Sequence, residues 1–169
     1  RDIMKFFVKN KIMSLGGNSR VYDETDKDIY VVKGKILSLT NKKKIFDMNG
    51  KLLYIVKNKL FNFWTHSSYI FNEDKQKIAR VKNRSFKGGF DVLGYGDEIS
   101  IDGWGISGYS IIKNGEKIGT VKSSLALADN YEVEVKDGED AGFLVAAIIA
   151  IDNVKDKSTK RWFHLMHIL

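Results

Sequence analysis

Ala141-Gly142-Phe143-Leu144-Val145-Ala146-Ala147-Ile148-Ile149-Ala150-Ile151 is the stretch whose reading decides the fold. It runs for eleven residues without a polar side chain, so a helix made from it has no side to present to water. It is also too short to cross a bilayer, which takes about 20 apolar residues. Such a segment needs an apolar enclosure supplied by the rest of the chain. Just upstream, Asp137 and Gly138 suit an N-cap, and Glu139 and Asp140 suit the positive end of a helix dipole. Asp152-Asn153 marks the approach to the far end, so a helix is expected at about 138–153.

Working back from that segment, the chain repeats itself. Val8-Lys9-Asn10-Lys11 recurs as Val32-Lys33-Gly34-Lys35, Val56-Lys57-Asn58-Lys59 and Val81-Lys82-Asn83-Arg84, with a weaker copy at Val121-Lys122-Ser123-Ser124. The spacings are 24, 24, 25 and 40 residues. Turn signals precede four of the copies by six or seven residues: Asp26-Lys27, Asn49-Gly50, Glu73-Asp74 and Asn114-Gly115. Asn-Gly is a strong hairpin signal because both residues tolerate positive φ. Short apolar-aromatic pieces follow three of the valines, at Val21-Tyr22, Ile45-Phe46 and Tyr69-Ile70-Phe71. Each unit therefore reads as a long strand, a turn, a short strand and another turn. A leucine-rich repeat also has this period, but the second half of each unit lacks its leucine spacing.

Counting strands through Val135 predicts about twelve, all antiparallel. A meander of that size must hide its edges, and closing into a barrel removes them. A barrel that wide has a lumen its own side chains do not fill. The all-apolar segment at 141–151 fits there. The fold expected is mainly β, a closed antiparallel barrel around a central hydrophobic C-terminal helix. Residues 1–154 would form the barrel and its helix, and 155–169 a basic, aromatic tail.

The pieces Asp129-Asn130-Tyr131-Glu132-Val133-Glu134-Val135, Glu139-Asp140 and Ala146-Ala147-Ile148-Ile149-Ala150-Ile151-Asp152 carry a family resemblance, as do Gly34-Lys35-Ile36-Leu37-Ser38-Leu39 and Asp47-Met48-Asn49-Gly50. Over roughly residues 4 to 154 the chain resembles the LURP-one-related family of the tubby C-terminal-like superfamily, which also includes phospholipid scramblases. The resemblance implies a twelve-stranded barrel around a hydrophobic helix, in agreement with the reading from periodicity. It implies no settled activity. Tubby domains bind phosphoinositides and scramblases are tied to lipid movement, but no local motif here aligns with the lipid-binding residues of the former. The transmembrane and calcium-binding segments of the latter are not evident.

Composition narrows the function classes. The chain has 169 residues, 43% hydrophobic and 29% charged, as expected of one soluble domain. No cysteine is present, which excludes disulfides and thiolate chemistry. Arg1-Asp2-Ile3-Met4-Lys5-Phe6-Phe7 does not read as a signal peptide. A cytoplasmic protein, peripheral at the membrane at most, is expected. Lys and Arg number 28 against 21 Asp and Glu, a net +7 that suggests a polyanionic partner or a strongly solvated surface.

Enzymatic signatures fail on context. Gly103-Trp104-Gly105-Ile106-Ser107-Gly108 has the letters of a dinucleotide loop, but a strand and hairpin follow it where a helix is needed. His164 and His167 share a helical face without a third ligand, and His66 stands apart. Glu132/Glu134 and Glu139/Asp140 read as outer strand positions and helix-start charges. A non-enzymatic protein with no cofactor and no metal is expected.

The repeat yields the candidate binding surface. Residues i and i+2 of a strand share a face, so inward valines put Lys33/Lys35, Lys57/Lys59 and Lys82/Arg84 outward together, joined by Lys9/Lys11, Lys42 and Lys44. Such a stripe suits phosphate groups on a membrane or nucleic acid; the same lysines would also serve simply to solvate the outer face. Anionic phospholipid is the first expectation and a protein partner the second. Nucleic acid is less favoured, because aromatic residues interleaved with the stripe are few. In the tail, Trp162, Leu165, Met166 and Leu169 fall on one helical face beside Lys160-Arg161. That pattern suits a membrane interface, packing across the barrel mouth, or a subunit contact.

Overall fold

The computed structural model describes residues 2–9, 18–34, 40–59, 67–84, 88–104, 108–123 and 130–166, without the side chains of Trp104 and residues 155–166. The strands are β1 (Ile3–Lys9), β2 (Asn18–Asp23), β3 (Asp28–Gly34), β4 (Lys43–Asp47), β5 (Leu52–Asn58) and β6 (Ser67–Phe71). They continue as β7 (Lys77–Asn83), β8 (Phe90–Leu93), β9 (Ile99–Trp104), β10 (Gly108–Lys113), β11 (Glu116–Ser123) and β12 (Asn130–Lys136), and α1 (Ala141–Met166) ends the described chain. Each strand is antiparallel to the next, and β1 pairs with β12 from Ile3↔Lys136 to Lys9↔Asn130. That last pairing closes the sheet into the twelve-stranded barrel expected from the repeat and leaves no free edge.

The repeat sets the geometry of the wall. Val8 pairs across to Val21 and then to Tyr30, two residues short of Val32. Val32 leads through Ile45 to Tyr54, two short of Val56. Val56 leads through Ile70 to Ala79, two short of Val81. A constant stagger of this kind is the shear that tilted strands need in order to close. The repeat-equivalent valines therefore come to one height around the barrel, each pointing inward and at most 2% exposed.

The lumen holds α1. All residues from Ala141 to Ala150 are buried, with Val145, Ala146, Ala147 and Ala150 at 0% exposure. Alanines let the helix axis approach β5, β6 and β7, the strands it packs against most. The helix starts at Ala141, later than the sequence suggests, because Asp137-Gly138 is spent on the turn after β12, with Gly138 at φ 89°. Asp140 caps it instead, its Oδ1 accepting the Phe143 N–H at 2.9 Å.

The same end of the barrel carries the tight turns. Three of them use one device at repeat spacing: Asp23 Oδ1 accepts the Thr25 and Lys27 amides, Asp47 Oδ1 accepts those of Asn49 and Lys51, and Asn72 Oδ1 accepts that of Gln76. In each the fourth residue takes positive φ, namely Asp26, Gly50 and Lys75. An Asx side chain thus replaces the missing backbone partners in the turn.

Tyr54 closes this end over the helix start. Its hydroxyl donates to Asp140 Oδ2 at 2.5 Å, and its ring meets Phe143 edge-on at 5.7 Å between centroids. Tyr95 stacks on Phe143 at 3.7 Å. Burial first, and then the Asp140 hydrogen bond and charge, hold the Tyr54 phenol well above its ordinary ionisation range. Tyr30 and Tyr95 are raised too, mainly by burial. The unfolded chain loses these protons near the ordinary tyrosine value of about 10, where the folded chain keeps them. The unfolded state then binds fewer protons, so stability falls as pH rises past that value. Urea midpoints compared between about pH 8 and about pH 11 should show this loss, and Tyr54→Phe should reduce its slope. An unchanged slope would remove Tyr54 as its source.

Candidate functional site

Outward side chains on β1 to β7 form the candidate surface. Lys9, Lys33, Lys57 and Lys82 each follow an inward valine by one residue, so they point out at the common height of those valines. That height is near the end of the barrel where β1, β3, β5 and β7 finish and where β4 begins with Lys43-Lys44. The stripe is therefore an arc around the rim rather than a row along the hydrogen bonds. Lys35 and Lys11 lie outside the described residues.

Lys33 stands directly opposite Lys44, a like-charge pair across antiparallel strands, an arrangement that costs stability on its own. Among the described residues none of Lys33, Lys44, Lys57 and Lys82 forms an ion pair. Two of them lie over aromatic rings instead: Lys33 Nζ is 5.1 Å from the Phe46 centroid and Lys57 Nζ 4.6 Å from that of Phe71. Beside them Lys77 Nζ sits 4.6 Å from the Tyr69 ring, and Tyr69 meets Phe71 edge-on at 6.5 Å. Between Lys44 and Phe71 comes Ile55, an outer-face residue only 2% exposed. The surface is a lysine layer on an apolar, aromatic floor. Sequence spacing undercounts those rings because they come from neighbouring strands.

Arg84 differs from the rest. It binds Asp91 at 2.6 Å and Asp102 at 2.8 Å, tying together the chain after β7, β8 and β9. Hydrogen bonding to Asp91 leads the effects that raise its pKa. Its charge is spent within the wall. Lys59, just past β5, is exposed, and its backbone N–H donates to the Ser67 carbonyl at 3.2 Å. Lys82 is half-buried and faces Asp91 across β8.

Charge is polarised along the barrel axis. The tight-turn end bears Asp23, Glu24, Asp26 and Asp28 around Lys27 at one turn, Glu73 and Asp74 beside Lys75 and Lys77 at another, and Asp97 and Glu98 at a third. Asp137, Glu139 and Asp140 add to it around the helix start. The opposite rim bears the lysine arc.

A family model described as LURP-one-related matches residues 4–152. The chain belongs to the LURP-one-related family. Among solved structures, this LURP-one-related barrel is similar to the X-ray structure of a protein from Arabidopsis thaliana. The two share 14% sequence identity over 91% of this chain and 92% of that one, with a TM-score of 0.66. At that identity the likeness shows the fold alone. No curated protein matches the chain in sequence.

In this LURP-one-related chain the Gly-x-Gly-x-x-Gly stretch joins β9 to β10, with Gly103 opposite Tyr109 and Gly108 opposite Trp104. A strand follows it, as its sequence context implies, so no helix terminus is present to receive a pyrophosphate. Gly103 has φ 136°, and a Cβ there would meet the Gly108 carbonyl oxygen at 2.5 Å. Close backbone approach accounts for it. The described residues hold no group of three or more His, Cys, Asp or Glu able to bind a metal. His66 and His167 lie outside them, and so does the side chain of His164. Among the described residues no helix is long and apolar enough to cross a membrane.

One feature of the rim escaped the sequence reading. Lys43 turns inward, 7% exposed, and its Nζ donates to Asn153 Oδ1 at 2.7 Å. Asn41 Nδ2 donates to the same oxygen at 2.9 Å, and Asn153 Nδ2 donates to the Asn41 carbonyl at 3.3 Å. The signal was present in the strand alternation: Ile45 points inward, so Lys43 must as well.

Proposed function

We propose that this LURP-one-related barrel is a binding module for anionic phospholipid or phosphoinositide headgroups, with Lys33, Lys57 and Lys82 as the contacting cations and Lys44 and Lys59 beside them. The observation that carries the reading is the Lys33–Lys44 pair, two like charges held opposite each other without an acidic partner among the described residues. An anion shared between them would relieve the repulsion. Aromatic rings beneath the lysines suit the same depth, since lysine heads and aromatic bodies favour a lipid–water boundary. Arg84 contributes to the wall rather than to binding.

Co-sedimentation with phosphatidylcholine vesicles, with and without phosphatidylserine or phosphoinositide, tests it. The protein should pellet only with the anionic vesicles. A basic residue near an anionic surface is worth about 1 kcal/mol, so Lys33→Gln/Lys57→Gln should weaken partitioning by about thirty-fold. Arg84→Gln should lower stability and leave partitioning of the folded fraction little changed. If the wild-type protein stays in solution with every vesicle, the lysines serve solvation and a protein partner becomes the reading to pursue.

A further inference from the structure

We infer that the barrel docks on an anionic bilayer end-on, with the lysine-bearing rim and the outer part of α1 toward the lipid and the acidic tight-turn end toward solvent. This inference rests on the lipid-binding reading above and specifies how the molecule sits. Three observations carry it.

The first is the axial separation of charge. Seven-residue strands such as β3 and β5 tilted as in closed barrels give a wall about 18 Å high. Screening at physiological salt acts over about 8 Å. Docked end-on, the rim lysines fall within that range and the acidic turns lie beyond it. Docked on its side, the barrel would bring the β4–β5 and β6–β7 turns as near the surface as Lys33 and Lys57, and there Lys51, Lys75 and Lys77 only offset Asp47, Glu73 and Asp74. End-on docking instead gathers the rim lysines at the lipid and keeps the larger acidic groups, at Asp23 to Asp28 and around the helix start, away from it.

The second is helix length. A 26-residue helix spans about 39 Å, of which the buried run from Ala141 to Val154 accounts for about 21 Å. α1 starts at the tight-turn end and traverses the lumen, so its last three turns lie beyond the lysine-bearing rim.

The third is what those turns carry. Lys155, Lys157, Lys160 and Arg161 occur there, with Trp162, Leu165 and Met166 at positions that share a helical face. Basic residues interspersed with Trp, Leu and Met in the turns that leave the barrel suit a helix end seated at the lipid–water boundary, where lysine stems reach past apolar neighbours to the headgroups. It continues the lysine arc away from the acidic end.

The chain lacks cysteine, so single introduced cysteines report position without background. We would label Asn83→Cys, Ser123→Cys and Asn49→Cys in the full chain with an environment-sensitive fluorophore. Quenching by headgroup-region spin-labelled lipid would then be measured in phosphatidylcholine/phosphatidylserine vesicles. Asn83 and Ser123 end β7 and β11 at the lysine rim, and Asn49 sits in the exposed turn between β4 and β5. β11 lies six strands from β5, on the opposite wall. End-on docking predicts several-fold stronger quenching at both Asn83 and Ser123 than at Asn49. Quenching at Asn83 and Asn49 with Ser123 spared would establish side-on docking through β3 to β7; that overturns this inference and leaves lipid binding intact. Absence of vesicle binding for all three labelled proteins and the unlabelled chain would overturn both.

Discussion

Phe143→Ala should lower the stability of the barrel by about 3–5 kcal/mol, the range for removing a large aromatic side chain from a closed core. Phe143 is 1% exposed, stacked on Tyr95 and met edge-on by Tyr54. Its ring fills the tight-turn mouth of the lumen, where backbone hydrogen bonds hold the wall and leave little room for collapse into the vacated space. Most domains have only about 5–15 kcal/mol of net stability, so this one substitution should bring the protein near unfolding at physiological temperature. Urea denaturation followed by far-ultraviolet circular dichroism measures the change. A loss below about 1 kcal/mol, with the steepness of the transition unchanged, would mean that the ring does not plug the barrel.

Asn153→Ala should cost about 2–4 kcal/mol, because a hydrogen bond to a charged group is worth about 1.5–3 kcal/mol and two bonds to Asn41 are lost with it. Asn153 is 0% exposed and places its amide between Lys43 and Asn41 at the inner end of the rim. Without it the Lys43 ammonium, itself 7% exposed, gives up one of its acceptors in a site poorly reached by water. Burying a charge with fewer partners is costly whatever contacts remain. A double-mutant cycle with Lys43→Met separates the causes. If Lys43 carries the effect, the double variant should be more stable than the sum of the single losses. Strict additivity would assign the loss to Asn41 and to packing.

The two sites lie at opposite ends of the lumen, and their roles in the chain differ in visibility. Phe143 sits in an eleven-residue apolar run that no solvent-facing helix could contain, so its burial is legible from the run alone. Asn153 looks, in sequence, like the polar residue at which a buried helix emerges. Its place in the fold comes from Lys43 and Asn41, which are more than 100 residues away along the chain.

What the sequence determined by itself is the wall and its filling. Alternation places Val8, Val32, Val56 and Val81 inward and the following lysines outward, since a strand has only two faces. The 24-residue period sets the strand count, and the apolar run supplies the occupant of the lumen. These follow from local geometry and from the cost of wetting apolar surface. Tertiary structure alone decided how those lysines are used. Shear brings residues equivalent in the repeat to one height, so a pattern linear in sequence becomes an arc at the rim. Strand pairing puts Phe46 under Lys33 and Phe71 under Lys57, and it sets Lys44 opposite Lys33. The same pairing gives Arg84 to Asp91 and Asp102, although its motif position matches that of exposed Lys59. A side chain's direction is a property of its own strand, whereas its neighbours belong to other strands whose register is set only when the barrel closes.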